Sequence, residues 1–534
     1  MTSADLPDLI ARRAELTPDS VALEELATGR SLTYAALDER AARAAALLEA
    51  LGVGDGDRVA ILCRNRLAFF EALFACARLG AILVPLNWRM PPAEIDPLLA
   101  HSGPKLLLHG GEDGALVRRL AEPPPALDLD GDFEARVEAA APYAGRRRWP
   151  ADGIWYLLYT SGTTGRPKGV IYTYRMALAN LVNIGTAIGL GASDTTLSFL
   201  PNFHTAGINL HALPTLLQGG RVLLLPGFEA DSVVELLEAR RVDTFFAVPT
   251  VYQALVDHPR FGSAPLGHVR HWACGGAPLP DSLARRCRGL GLRVCNGMGM
   301  TETGPTAFLA APADAWDRIG SVGKPQLLVS VRIVGQDGRD VAAGEVGDLQ
   351  FAGPAVTPGY WNDPEATRSA FTADGWLRSG DLARCDSDGF YWVAGRRKEM
   401  FISGGENVYP AEVENVLAGH PAVAEAAVVA APDPRWGEIG CAFLRLKEGT
   451  ARPAEAELET FCRARLAAYK VPVNFEYVDD FPRTAAGKVQ KHLLIGGVGV
   501  VASAKAGAPA GKGRRGLSPA GMPACAGITE SPLI

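Results

Sequence analysis

At 534 residues the chain is too long for a single hydrophobic core, and two or more domains are expected. With 48% hydrophobic and 21% charged residues the composition is that of a folded globular protein, and a formal charge of −6 argues against general nucleic-acid binding, which needs a basic face. The N-terminus lacks an apolar signal core, no run of about 18 apolar residues occurs, and the nine cysteines form no CxxC pair, so a cytoplasmic protein with free thiols and no integral membrane association is expected.

In chain order, residues 33–51 place Leu37, Ala41, Ala44, Leu48 and Leu51 at helical spacing, and 59–62 read as a short buried strand. Further strands are expected at 81–85, 105–109, 154–158, 196–200, 221–225, 244–248 and 269–273, with helices at 232–240 and 282–288. Strands alternating with helices imply an α/β fold of mostly parallel sheets covered on both faces. Around 327–350 the pattern changes to short strands and tight turns, which predicts a small antiparallel, barrel-like part. After the Gly395-Arg396-Arg397-Lys398 segment come a helix at 410–418, strands at 423–430 and 441–446, a helix at 455–468 and a strand at 474–478, a compact α+β unit. The division read from this is 1–395, a boundary at 396–398, a small domain at 399–495, and a tail at 496–534 whose Gly, Ala, Ser and Pro bias predicts disorder.

The most chemically loaded stretch is Tyr159-Thr160-Ser161-Gly162-Thr163-Thr164-Gly165-Arg166-Pro167-Lys168-Gly169-Val170. Hydroxyls and backbone N–H groups freed by small residues, joined by the charge of Lys168, suit a polyphosphate. It is not a Walker A loop, because no Ser or Thr follows a Gly-Lys pair at the required spacing. Taken alone, the segment also reads as a flexible surface loop.

Further motifs follow in order: Gly275-Gly276-Ala277-Pro278-Leu279, Gly299-Met300-Thr301-Glu302-Thr303, Ser379-Gly380-Asp381, Gly395-Arg396-Arg397-Lys398-Glu399, Ser403-Gly404-Gly405-Glu406-Asn407 and Pro482-Arg483-Thr484-Ala485-Ala486-Gly487-Lys488. Together with the first segment they resemble the motif series of the adenylate-forming enzymes, which include acyl-CoA synthetases, peptide-synthetase adenylation domains and luciferases. The resemblance covers residues 5–495; nothing in the family corresponds to the tail.

The resemblance implies a large N-terminal AMP-binding domain, a small mobile C-terminal domain and an active site between them. It implies a two-step reaction: a carboxylate attacks the α-phosphate of ATP to give an acyl-adenylate and pyrophosphate, and a thiol, usually coenzyme A, then displaces AMP. Thr160, Ser161, Gly162, Thr163, Thr164, Gly165 and Lys168 would hold the β- and γ-phosphates, Thr301 the α-phosphate, and Glu302 the Mg²⁺ ion. Gly275, Gly276, Ala277, Pro278 and Gly299 would line the adenine site. Asp381 would accept the ribose hydroxyls, with Arg396 facing the ribose or forming an interdomain salt bridge. Lys488 would contact the substrate carboxylate and the α-phosphate, Lys398 would be the hinge, and Ser403, Gly404 and Gly405 would help form the thiol tunnel.

One departure is Met298, in Asn296-Gly297-Met298-Gly299-Met300, where the family usually carries an aromatic ring over adenine. A thioether can still cover a purine face. His204, Gly207 and Cys274 are expected near the acid, with Asn209, His211, Ala273, Gly297 and Met298 as further candidates for lining. No Arg or Lys in these segments awaits a second carboxylate, so a monocarboxylic acid, fatty or aryl, is expected. The leading expectation is an acyl-CoA ligase using ATP, Mg²⁺ and coenzyme A, acting as a monomer or homodimer without nucleic acid. An enzyme loading a separate carrier protein and an inactive nucleotide-binding paralogue are the alternatives.

Overall fold

A computed structural model describes residues 5–145, 148–160, 167–483 and 489–494. The expected tail at 496–534 lies outside the described residues.

Two large sheets form the body. In the six-stranded sheet, Arg58–Leu62 pairs in parallel with Ile82–Pro85 and Leu106–His109, and Ile154–Thr160 joins Ile82–Pro85 in the same sense. In the nine-stranded sheet, Thr195–Ser198, Arg221–Leu224, Thr244–Ala247, His271–Cys274 and Val294–Met300 run parallel, while antiparallel strands close both edges. The strands expected in these two sheets are present with ends moved by no more than two residues, and the α/β reading holds.

Helices Tyr34–Ala50 and Leu67–Leu79 lie between these sheets, because one core joins Val59, Ile61 and Leu83 of one sheet to Leu23, Val222 and Leu224 of the other. The first helix starts where Thr33 Oγ1 accepts the Ala36 N–H at 3.2 Å, which satisfies a donor that the first turn leaves open. Leu67–Leu79 is buried on nearly every side, and its two internal charges are paired: Glu71 with Arg40, and Arg78 with Asp8 and Asp38.

The expected small β part is a four-stranded antiparallel sheet of Ser330–Val334, Gly347–Ala352, Leu377–Cys385 and Tyr391–Arg396. Beyond it, a five-stranded sheet including Val423–Asp433, Gly437–Leu446 and Asn474–Tyr477 packs against helices Pro410–Ala418 and Glu455–Arg463 around its own core. This C-terminal unit touches the body where the Asp281 N–H donates to Asn415 Oδ1 at 3.1 Å and Ser282 Oγ donates to the Ala418 carbonyl at 3.4 Å. Among the described residues no helix is long and apolar enough to cross a membrane, and the eight cysteines are free thiols.

Two buried histidines are expected to make the body acid-sensitive. His211 meets Thr196 Oγ1 at 3.0 Å, and burial, with His271 adding, holds its imidazole down to about 3. Burial, with Arg270 adding, holds His271 down to about 4, and neither of its ring nitrogens has a partner among the described residues. Both rings are neutral when folded but take up protons near pH 6.5 when unfolded. Stability is therefore expected to fall as pH drops from about 6.5 to about 4, approaching 1.4 kcal/mol per pH unit for each imidazole. Denaturant melts across this range check the slope, and His211→Gln with His271→Leu should flatten it; a parent slope that the double variant leaves unchanged would assign acid sensitivity elsewhere.

Candidate active site

Several candidate residues, Thr160, Gly275 and Thr301 among them, sit at or just beyond the carboxyl ends of parallel strands, the edge at which open α/β sheets bind ligands. Ile154–Thr160 is followed by Lys168–Thr173 as its antiparallel neighbour, which sets Thr160 opposite Lys168. The two ends of the polyphosphate motif thus meet across one pair of strands. Ser161, Gly162, Thr163, Thr164 and Gly165 lie outside the described residues, as does Lys488. Lys168 Nζ stands 5.0 Å from the centre of the Tyr360 ring.

His271–Cys274 runs out into Gly275, Gly276, Ala277 and Pro278, the last three exposed. Next to it, Val294–Met300 ends in the single turn Thr301–Thr303, and Gly304–Leu309 returns antiparallel. This reversal is tight enough that a Cβ on Gly299 would lie 2.2 Å from the Pro305 carbonyl oxygen. Thr301 and Glu302 are buried in the turn. Glu302 Oε1 accepts the Tyr360 hydroxyl at 3.0 Å, and its carbonyl accepts the Thr357 N–H at 2.7 Å.

Asp381 is buried and faces Arg396 across two strands of the four-stranded sheet, with Nε to Oδ1 at 2.9 Å. The ion pair is internal to that sheet, not interdomain. Lys398 follows in an exposed turn. Ser403, Gly404 and Gly405 form the bend between Phe401–Ser403 and Glu406–Val408, where φ of +60° and +88° at the two glycines fits the twist of a tight hairpin. Trp436 lies over this bend, its carbonyl accepting the Gly404 N–H at 2.9 Å.

A cavity opens beside Thr301. His204 and Ala206 line one part, Gly275, Gly297 and Gly299 present backbone to another, and Ile184, Phe246 and Leu309 supply apolar walls. The expected lining residues Gly207, Asn209, His211, Cys274 and Met298 are placed otherwise. Gly207 packs on the chain, since a Cβ there would lie 2.2 Å from the Pro201 carbonyl oxygen. Cys274 faces the opposite side of its strand, in a core with Tyr252, Leu283 and Cys287, and burial pushes its thiol well up. Ala273, one residue earlier, faces the cavity. Asn209 accepts the Tyr156 hydroxyl at 2.7 Å within the core, and His211 packs on the Phe246 ring. Met298 alternates away from Gly297 and Gly299 and rests against the core that includes Phe308, its neighbour across the strands. Tyr360, Phe246 and Ile184 were not among the residues singled out from sequence.

Among the described residues no three His, Cys, Asp or Glu side chains gather as a metal cluster. A divalent cation would rest on the Glu302 carboxylate and on nucleotide phosphates. That donor set suits Mg²⁺, which keeps few protein ligands and shares substrate oxygens.

The residues therefore define a nucleotide-activating enzyme. The AMP-binding enzyme family model matches residues 10–361, and the AMP-binding enzyme C-terminal domain matches 412–488. The chain belongs to the AMP-binding enzyme family. It is 43% identical over 484 residues to a feruloyl-CoA synthase from an Amycolatopsis species, covering 90% of this chain and 96% of that protein. An indoleacetate–CoA ligase of Aromatoleum aromaticum is 37% identical over 498 residues, covering 91% and 97%. The o-succinylbenzoate CoA synthetase of Bacillus subtilis, solved with its acyl-adenylate intermediate, superposes with a TM-score of 0.83 at 33% identity, covering 92% and 98%.

If Met298 covers the adenine ring, Met298→Tyr should keep activity and lower the KM for ATP, because an aromatic face adds about 0.5–1.5 kcal/mol of stacking. ATP and acid kinetics on the variant check this; a large rise in ATP KM or a changed acid preference would place residue 298 toward the acid instead.

Proposed function

We propose that this ATP-dependent CoA ligase activates a flat aryl monocarboxylic acid carrying a ring hydroxyl. The enzyme forms an acyl-adenylate with release of pyrophosphate and then transfers the acyl group to coenzyme A. The observation that carries the substrate class is the cavity beside Thr301. Four glycines give it a flat backbone wall. Among the described residues no Lys or Arg lines it, and Thr306 Oγ1 is buried there without a hydrogen-bond partner. A flat ring fits against such a wall, and an unpaired hydroxyl favours a ligand with a polar ring substituent. The feruloyl- and indoleacetate-activating relatives support the same class.

Within this reading each residue has one job. Lys168 would neutralise charge on the nucleotide phosphates, which otherwise repel the attacking carboxylate, and Thr301 would donate a hydrogen bond to the α-phosphate. Bound Mg²⁺ would draw the phosphate oxygens together, and Glu302 would hold it. Asp381, held by its ion pair with Arg396, would accept the ribose hydroxyls. Lys488 would meet the carboxylate and the α-phosphate from the small domain at 399–495, with Lys398 at the hinge 396–398. His204 would stand at the mouth of the acid cavity. A monomer or homodimer in the cytoplasm is part of the same reading, supported by the free, mostly buried cysteines.

Thioester formation from acetate, hexanoate, palmitate, benzoate, cinnamate and a hydroxycinnamate tests the substrate class. The hydroxycinnamate should show the highest kcat/KM, above unsubstituted cinnamate. Palmitate as the best acid would refute the aryl reading while leaving the ligase chemistry in place.

A further inference from the structure

We infer that Tyr360 is a positioning residue that locks the metal-binding carboxylate to the phosphate-binding lysine, an inference that rests on the roles proposed for Glu302 and Lys168. The tyrosine reaches both. Its hydroxyl donates to Glu302 Oε1 at 3.0 Å, and the face of the same ring lies 5.0 Å from Lys168 Nζ.

The backbone around it is built to hold this arrangement. Residues 357–361 lie along the strand Lys168–Thr173: Tyr360 bridges Val170, the Ile171 N–H donates to the Gly359 carbonyl at 3.1 Å, and the Trp361 N–H donates to the Gly169 carbonyl at 2.8 Å. Thr357 fastens the other side, donating from its N–H to the Glu302 carbonyl at 2.7 Å and from Oγ1 to the Ile171 carbonyl at 2.7 Å. The Tyr360 N–H is itself held by Thr367 Oγ1 at 3.0 Å. One short segment therefore clamps the turn carrying Glu302 to the strand carrying Lys168, and Tyr360 is its only residue whose side chain is seen to engage both charged groups among the described residues.

The chemistry follows from the two ends of the side chain. A neutral phenol donates one hydrogen bond to one carboxylate oxygen, fixes the rotation of the carboxylate, and leaves the second oxygen for a hard cation. The π face attracts the ammonium without taking up its N–H donors in an ion pair, so Lys168 is held over the ring while its donors remain available to an anion. A direct Lys168–Glu302 ion pair would cancel both charges before the nucleotide arrived. A tyrosine that only filled space would need neither its hydroxyl nor this alignment, and its loss would not change metal dependence.

The test uses the full chain with Tyr360→Phe and Tyr360→Leu. Calorimetry measures the affinities for AMP, for ATP without metal and for ATP across a Mg²⁺ titration; acid-dependent pyrophosphate–ATP exchange is measured over the same Mg²⁺ range. Tyr360→Phe should keep AMP and metal-free ATP affinity within about twofold, while the Mg²⁺ concentration for half-maximal ATP binding rises about tenfold or more, the usual scale for losing a partner of a metal ligand. Tyr360→Leu should in addition weaken metal-free ATP, because the face opposite Lys168 is gone. An unchanged Mg²⁺ midpoint in Tyr360→Phe, or a parallel loss of AMP affinity, would overturn the inference. Binding and exchange separate it from the reading it rests on: a parent that binds Mg²⁺ and ATP with the expected dependence on Tyr360 yet shows no acid-dependent exchange would sustain the role of Tyr360 and remove the proposed activity.

Discussion

Lys488→Ala is expected to lose acid-dependent pyrophosphate release by about 10²–10³, the scale on which removing one preorganised charge-stabilising group acts. It should still make thioester from supplied acyl-adenylate and CoA, because that step is proposed to use the small domain rotated about the hinge, with Lys488 no longer at the α-phosphate. Lys488 itself lies outside the described residues, but the flanks of its segment are held firmly. Arg483 pairs with Val489 as an antiparallel bridge, and the Gln490 N–H donates to the Pro482 carbonyl at 2.8 Å. Arg483 is fastened to Glu425, and Lys491 to Glu414 at 2.7 Å and Glu399 at 2.9 Å. Glu399 directly follows Lys398, so these ion pairs tie the proposed hinge to the segment that carries Lys488. Lys398→Pro, which fixes φ at the exposed turn, should do the reverse: adenylation is spared and thioester formation slows. Equal loss of both half-reactions in Lys488→Ala, with the fold intact, would refute this division of labour.

Gly299→Ala is the second large effect. The added methyl would meet the Pro305 carbonyl oxygen at 2.2 Å and the Gly304 carbonyl oxygen at 2.9 Å, both backbone atoms that cannot rotate away. Relief requires the strand Val294–Met300 and its return Gly304–Leu309 to separate, which moves Thr301 and Glu302. Overpacking of this kind costs about 1–3 kcal/mol of stability, and a displacement of about 1 Å in a reacting group costs about 10²-fold in rate. The variant should therefore fold, melt a few degrees lower, and lose pyrophosphate exchange by about a hundredfold. Gly289→Ala, at the end of helix Asp281–Gly289 with nothing within 4 Å of the added methyl, is the control and should leave both properties unchanged. Near-parental exchange in Gly299→Ala would mean that the turn tolerates widening and that its tightness does not set the positions of Thr301 and Glu302.

The sequence made the parallel strands readable because each is a short apolar run between turn residues, and the motifs stood out because glycines, hydroxyls and charges rarely cluster so densely. The phase within a buried strand was not readable. His271–Cys274 is covered on both faces, so hydrophobicity cannot say which side chains face the cavity: Ala273 and Cys274 were both placed there, and only Ala273 faces it. Gly207 was expected near the acid, whereas its missing side chain makes room for the backbone of Pro201. Tyr360 gave little local signal. It sits in Gly359-Tyr360-Trp361, outside any named strand, and its importance comes from a hydrogen bond to Glu302 across a separation of 58 residues. The ion pair of Asp381 with Arg396 was half legible: both residues stood out, but that they are register partners depends on how two strands of the small sheet align.

The most direct test of the central claim is exchange of labelled pyrophosphate into ATP in the absence of CoA. With a hydroxycinnamate and Mg²⁺ present, label should enter ATP at a rate that depends on the acid and vanishes without it, because the acyl-adenylate forms reversibly before any thiol arrives. Exchange that requires CoA, or ATP turnover that releases ADP and phosphate in place of AMP and pyrophosphate, would contradict the account.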